Sequence, residues 1–363
     1  MSTKCARSPY IIEIDETNQT ETKVKLYLSN TGSFTSDPQY TLSKKIPSSN
    51  ITATYYNISP YVREYFTFTT FQNIYNTYDT AINTNFIVNY KIEKFKTIGG
   101  TESSAGTETG QFMDAYIDYM QGANVINFTK VGLDSGTYFY NYDANVSASL
   151  PHAMTGTIDA DIENSSYFIR YTNLRTNVDT DIAYSASGIR TFPRVHHTNL
   201  ADGNRLRLMS NTTVQYQAFF KPVCEPKYSP VVIDFINKFG SWSRIFFQKA
   251  KTRNIEVKAD SYKANPASIP YSPTAQGQVR EFNTTGKETI RLNTGFVNDG
   301  YAEYIQQLLL SEKVTLLDYE SNVLYQPVRV KSKSLKKQTG LNDGTMNYTL
   351  DFEFAFDIIN NVI

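Results

Sequence analysis

Residues 347–356 read Asn347-Tyr348-Thr349-Leu350-Asp351-Phe352-Glu353-Phe354-Ala355-Phe356. Large apolar side chains occupy every second position, the period of a β-strand with one buried face. The same alternation runs through Phe86-Ile87-Val88-Asn89-Tyr90-Lys91-Ile92-Glu93-Lys94-Phe95 and through Lys23-Val24-Lys25-Leu26-Tyr27-Leu28. A strand as regular as 347–356 needs its apolar face covered. The expected cover is a helix just upstream or an adjacent subunit.

Outward from these strands, most of the chain keeps the same character. Tyr10–Ile14, Thr137–Tyr142, Ser166–Tyr171, Arg205–Leu208, Val214–Phe220 and Ile255–Tyr262 are short runs rich in aromatic and β-branched residues. Loops of Asp, Asn, Ser and Gly separate them, as expected of strands. Val125–Phe128 reads the same way. Val231–Ile236 and Ile245–Gln248 flank Asn237-Lys238-Phe239-Gly240-Ser241-Trp242, which predicts a hairpin with the only tryptophan at its tip.

Helix is scarce. Residues 298–310 carry Tyr301, Tyr304, Ile305, Leu308 and Leu309 on one helical face, with Asn298 or Asp299 placed to cap the first turn. Ser59-Pro60 reads as a cap followed by a proline in the first turn of a short corner helix. Residues 112–121 are ambiguous between helix and strand. The expected fold class is all-β, built of β-sandwich domains, with one C-terminal amphipathic helix packed on a sheet.

The sequence suggests a multidomain chain: an N-terminal sandwich-like domain over 1–98, a flexible linker or loop over 99–110, a second β-rich domain with long loops over 111–225, and a C-terminal β domain over 226–363. The linker reading rests on the small, polar stretch GGTESSAGTETG. The last boundary rests on the composition shift near Pro222-Val223-Cys224-Glu225-Pro226.

Composition limits the function classes. Lys plus Arg is 35 and Asp plus Glu is 35, so no net field draws in nucleic acid or an anionic membrane. Cys5 and Cys224 are too few and too far apart to form a disulfide scaffold, and two free thiols fit folding in a reducing cytosol. The N-terminal residues lack the apolar core of a secretory signal, and no run of about 18 apolar residues suggests a membrane span.

Candidate chemistry is sparse. His196 and His197 are adjacent, and His152 is remote in sequence; two imidazoles alone fall short of the three or four ligands zinc takes. Asp159, Asp161 and Glu163 alternate in one run, so a calcium site or an acid/base pair of a glycan hydrolase can be imagined, but a solvated acidic face is the simpler expectation. Phosphate-cradling and nucleophile-elbow glycine patterns are absent from the sequence. Basic residues cluster at Arg244, Lys249, Lys251, Arg253, Lys258 and Lys263, and again at Arg329, Lys331, Lys333, Lys336 and Lys337. They are read as solvated or protein-interface residues before phosphate contacts, with Lys331 and Lys333 on one alternating face that can protect a sheet edge.

Several segments together resemble structural tail proteins of double-stranded-DNA bacteriophages, particularly those of Bacteroidetes hosts. They are Arg7-Ser8-Pro9-Tyr10, Asn57 to Arg63, Asn237 to Trp242, and the closing sequence from Leu292-Asn293-Thr294-Gly295 through Leu308-Leu309-Leu310-Ser311 to Asp351-Phe352-Glu353-Phe354. The resemblance implies a non-enzymatic virion protein of the tail, baseplate, hub or distal-tail region, made in the host cytoplasm. Such a protein forms a homo-oligomeric ring, contacts other tail proteins and uses no cofactor, no metal and no specific nucleic-acid sequence. The expected interface aromatics are Phe239, Trp242, Phe246, Tyr348 and Phe352. The alternative is a receptor-binding or carbohydrate-binding attachment protein that stacks sugars on exposed tyrosine and Trp242.

Overall fold

A computed structural model describes residues 3–47, 52–67, 80–81, 86–121, 131–142, 155–183, 186–223, 228–265, 270, 277–318, 323–335 and 345–359. Strands dominate, as the alternating runs require, and the all-β class stands. The chain divides into two compact units. One comprises Met1–Cys224, Asp234–Ile245 and Gln306–Lys313, and the other Glu225–Ile233, Phe246–Ile305 and Val314–Ile363.

The first unit opens with β1 (Thr3–Cys5), β2 (Ile11–Asp15), β3 (Gln19–Ser29), β4 (Tyr40–Lys45), β5 (Ala53–Asn57), helix α1 (Ser59–Arg63), β6 (Thr80–Ala81), β7 (Val88–Ile98) and β8 (Thr101–Met113). A five-stranded sheet runs β1-β8-β7-β3-β4, and β2 pairs with β5 in a separate sheet. Val24, Leu26 and Leu28 of β3, Tyr90 and Ile92 of β7, Ile12 and Ile14 of β2 and Tyr56 of β5 share one buried core, so the two sheets form a small sandwich. The register sets Leu26 opposite Ile92 and Lys25 opposite Glu93, apolar inward and opposite charges outward. The rings of Tyr10, Tyr90 and Phe112 fill the centre at 4.8–6.1 Å separations.

The stretch 99–110, expected as a linker, is a hairpin. Gly99 and Gly100 make the turn with φ of +58° and +82°, conformations glycine takes at no steric cost. From Thr101 the chain pairs with β7 residue by residue, so its threonines and serines are strand residues on an exposed sheet end. Gly110 has a packing reason: a Cβ there would stand 2.8 Å from the buried Tyr90 ring. The ambiguous 112–121 segment splits into the end of β8 and a short 3-10 turn at Tyr119–Gln121.

Ser59 does not cap its helix by side chain. Its hydroxyl donates to the Ser8 carbonyl at 2.6 Å and accepts from the Tyr10 amide at 2.9 Å. It pins the entry of β2 instead.

The same unit continues through β9 (Thr137–Asn141), β10 (Thr157–Ile162), β11 (Tyr167–Asn173), β12 (Asp179–Ala183), β13 (Gly188–Pro193), β14 (Asn204–Ser210) and β15 (Thr213–Val223). These form a five-stranded sheet, β12-β11-β14-β15-β9, and a three-stranded one, β10-β13-β6. Val125–Phe128 and His152 lie outside the described residues.

The remaining elements are β16 (Val231–Ile236), β17 (Trp242–Phe247), β18 (Thr252–Lys263), β19 (Val279–Asn298), helix α2 (Tyr301–Leu309), β20 (Val314–Asp318), β21 (Val323–Val330) and β22 (Thr345–Phe354). One sheet joins all seven strands in the order β17-β16-β20-β21-β22-β19-β18. Along β22, Met346, Tyr348, Leu350, Phe352 and Phe354 are buried as the alternation predicts, and Phe247 meets Phe352 edge-on at 5.6 Å. The helix spans 301–309, because residues up to Asn298 belong to β19; Tyr301, Tyr304, Ile305 and Leu308 of the expected face are buried and Leu309 is half-buried, while Ala302 and Gln307 are buried as well.

Candidate interaction surface

β18 and the first half of β19 form a two-stranded ribbon unlike the other strand pairs among the described residues. All twelve residues of Thr252–Lys263 are exposed, although the strand carries apolar side chains. Ile255 is 58% exposed, Val257 63% and Phe282 45%. The register sets Ile255 opposite Glu288 and Val257 opposite Gly286, with irregular pairing between Lys258 and Asp260. Further out, Tyr262 and Phe282 pack edge to face at 5.7 Å, and Ala264 extends the backbone pairing to Gln278.

The ribbon continues the core face of its sheet. Arg253 pairs with Ile290, so Ile290, Gly286, Ile255 and Val257 point to one side, where Ile290 meets Phe352 across the next pair. Ile290 and Phe352 are fully buried, whereas Ile255 and Val257 on the same face are bare. Ile358, half exposed, reaches the edge of this stripe beside Gly286.

The predicted interface aromatics are placed differently. Phe246, Tyr348 and Phe352 are buried at 6%, 6% and 0% exposure, so they offer no surface to a partner. Their alternation marks an inward face, and the sequence shows the period without showing what covers it. Trp242 begins β17 and is not at a hairpin tip; it is half-buried with its ring edge-on to Phe86 at 6.3 Å. Phe239 is half-buried in the turn, with the Lys238 ammonium 4.9 Å from its ring centre.

The turn itself is organised by Asn237. Its Oδ1 accepts from the Phe239 and Ser241 amides at 2.9 and 3.2 Å, and its Nδ2 donates to the Gly132 carbonyl at 2.7 Å and Ser243 Oγ at 2.8 Å. Gly240, with φ +80°, lies against the Asp114 backbone, where a Cβ would come within 3.0 Å. The Asn-Lys-Phe-Gly-Ser-Trp run is thus a packed corner.

Of the titratable candidates, Asp159 and His196 are buried in the first unit. Asp159 is buried, contrary to the expected solvated acidic face, and accepts from Thr191 Oγ1 at 2.6 Å. Burial holds its carboxyl above the usual range, against the hydrogen bond from Thr191 and the charge of Arg194. Asp161 is half-buried and Glu163 lies exposed beyond the strand end, so the three carboxylates do not form one face.

His196 and His197 do come together, with ring centres 4.4 Å apart. His196 is buried and linked to Thr198 Oγ1 at 2.7 Å; burial first, then the charge of His197, lowers its imidazole to about 4. Among the described residues no group of three His, Cys, Asp or Glu is placed to hold a metal ion.

Sequence reading missed the strongest charge pair. Arg244 lies fully inside, its Nε and Nη2 donating to the two oxygens of Asp234 at 2.7 Å each. Arg194, also buried, donates from Nε to the Thr157 carbonyl at 2.9 Å and from Nη1 to the Arg244 carbonyl at 3.1 Å. The signal was present as one Asp in Val-Val-Ile-Asp-Phe-Ile and one Arg in Trp-Ser-Arg-Ile-Phe-Phe, single opposite charges in successive apolar strands. Such a bidentate pair fixes how strands meet, because leaving either charge alone inside is costly.

The basic clusters also disperse. Besides Arg244, Lys251 and Arg253 converge on the buried Asp318 at 2.8 and 3.1 Å, and Arg253 also meets Glu288 at 3.1 Å. Arg329 pairs with Glu353, and Lys331 with Glu256 at 3.4 Å. Lys336 and Lys337 lie outside the described residues. Arg244, Lys251, Arg253, Arg329 and Lys331 thus neutralise the protein's own acids.

Among the described residues no helix is long and apolar enough to cross a membrane. Neither a scan against protein-family models nor a search of curated proteins gives a match for this chain.

Proposed function

We propose that the chain is a non-enzymatic structural protein of a bacteriophage virion, a tail, hub or baseplate component that assembles with copies of itself into a ring and contacts other tail proteins. The observation that carries the reading is the ribbon of β18 and β19, a long strand pair that exposes Ile255, Val257 and Val279 on one face and Tyr262 and Phe282 on the other. Isolated two-stranded ribbons are marginal in water, and exposed apolar patches mark contact surfaces. An assembly subunit covers such a surface with a neighbour.

Two further features support the reading. Two buried acids of the first unit are engaged in folding contacts, Asp234 with Arg244 and Asp159 with Thr191. Two of the closing segments that resemble tail proteins, Leu292–Gly295 and Asp351–Phe354, lie in the sheet from which the ribbon extends.

The test is size-exclusion chromatography with light scattering on the purified chain over a wide concentration range. A ring-sized multimer is the expected result. A monomer at every concentration would overturn the self-assembly part of the reading, and absence of the protein from purified particles would overturn the virion part.

A further inference from the structure

We infer that the free edge of β18 pairs antiparallel with β18 of a second copy, about a two-fold axis through Val257. The inference rests on the self-assembly reading above and names its contact. The Gly286 carbonyl accepts from the Ile358 amide at 2.8 Å, so it points away from β18. In an antiparallel pair the N–H and C=O of one residue face the same neighbour, which makes Val257 and Gly286 a non-hydrogen-bonded pair. Val257 therefore aims both backbone groups off the edge of the sheet. By alternation Ile255 and Arg253 do the same, while Glu256 and Lys258 spend theirs on β19.

The charges choose the partner and the register. Glu256, Lys258 and Asp260 alternate in sign at every second residue along the exposed strand. With Val257 opposite Val257, Glu256 of each copy faces Lys258 of the other, twice, and Ile255 faces Ala259. Centring on Glu256 or Lys258 instead would set like charges directly opposite, which is destabilising. Centring on Ala259 would put the irregular pairing between Lys258 and Asp260 at the middle of the contact and set Ile255 against Lys263.

The Val257 register also joins the bare stripes of Ile255 and Val257 from both copies into one apolar face. Lys258 makes no ion pair within the described residues of its own chain, whereas Glu256 has Lys331 at 3.4 Å on one side. The second copy's Lys258 takes the other side. An edge strand with this pattern is charged enough to reject most strands and complementary to itself. Being isologous, the contact joins copies in twos, so a ring that uses it holds an even number of chains.

Crosslinking tests the register. Val257→Cys in the full chain places two thiols across a hydrogen-bonded pair, with Cα atoms about 5.5 Å apart, within disulfide reach. Mild oxidation with oxidised glutathione should give a covalent dimer, while wild type and Val178→Cys, an exposed site elsewhere, stay uncrosslinked. Charge exchange tests the pairing: K258E should weaken association about tenfold, and E256K/K258E should restore it.

Circular dichroism checks that each variant stays folded. If wild type assembles but Val257→Cys does not crosslink and K258E associates normally, the inference falls and the self-assembly reading survives. If wild type remains monomeric throughout, both fall.

Discussion

Two long hairpins of this protein share length and pairing and differ in what they expose. In β7 and β8 the exposed end is Thr101-Glu102-Ser103-Ser104, small and polar, while Tyr90, Ile92 and Phe112 anchor the other end in the sandwich core. In β18 and β19 the exposed part carries Ile255 and Val257 on one face and Tyr262 and Phe282 on the other, with no cover among the described residues. The first hairpin is complete as it stands. The second leaves apolar side chains exposed among the described residues, and their burial by a partner is available as binding free energy.

The comparison sets an order of expected effects. Phe112→Ala in the first hairpin should cost about 3–5 kcal/mol by the cavity it leaves, read by urea unfolding. Phe282→Ala in the second should change monomer stability by less than about 1 kcal/mol, because the ring is half exposed. Equal losses in the two variants would erase the distinction.

At the foot of the first hairpin, Asp114 sharpens the comparison by pH. Burial, opposed by Arg7, raises its carboxyl from the model-compound value of 3.8 to about 6. Below about pH 4 both folded and unfolded chains hold the proton. Between about 4 and 6 the unfolded chain ionises first, so stability falls as pH rises; above about 6 the penalty is constant. Asp114→Asn removes this contribution. The variant should gain on wild type across that window, by up to about 3 kcal/mol at neutral pH, as measured by denaturation at several pH values. A constant difference from pH 4 to 7 would show that Asp114 does not carry the effect.

Glycine substitutions separate the hairpins again. Gly110→Ala drives a Cβ into the buried Tyr90 ring and should cost about 1–3 kcal/mol. Gly286→Ala meets the half-exposed Ile358 side chain at 3.2 Å, the end of a flexible group that can move, so thermal unfolding should shift little. The smallest effect belongs to Val257→Ser, within about 0.5 kcal/mol for the isolated chain. Its effect on association should be larger than its effect on folding, and the reverse order would make the ribbon a folding element.

Much of the fold was legible because alternation reports a buried face. Val24, Leu26, Tyr90, Ile92, Tyr348 and Phe352 were all placed on strands from their spacing alone. Three features escaped for physical reasons. Gly99-Gly100 followed by threonine and serine lacks apolar period, yet it is a hairpin turn and an exposed strand whose partner supplies the order. Arg244 was grouped with surface cations because a sequence does not show that Asp234 stands beside it. Phe246, Tyr348 and Phe352 were expected at an interface, while the exposed apolar residues lay in Ile255–Tyr262, a strand that reads like the others. Period shows that a face is apolar; only the three-dimensional structure shows whether the chain covers it.

The most direct test of the central claim is amide hydrogen exchange along β18 at rising protein concentration. In dilute solution the amides of Glu256 and Lys258, bonded to β19, should exchange more slowly than those of Ile255 and Val257, which point off the sheet. At concentrations where light scattering detects assembly, Ile255 and Val257 should become protected as well. Continued rapid exchange at Val257 in the assembled protein would contradict the account.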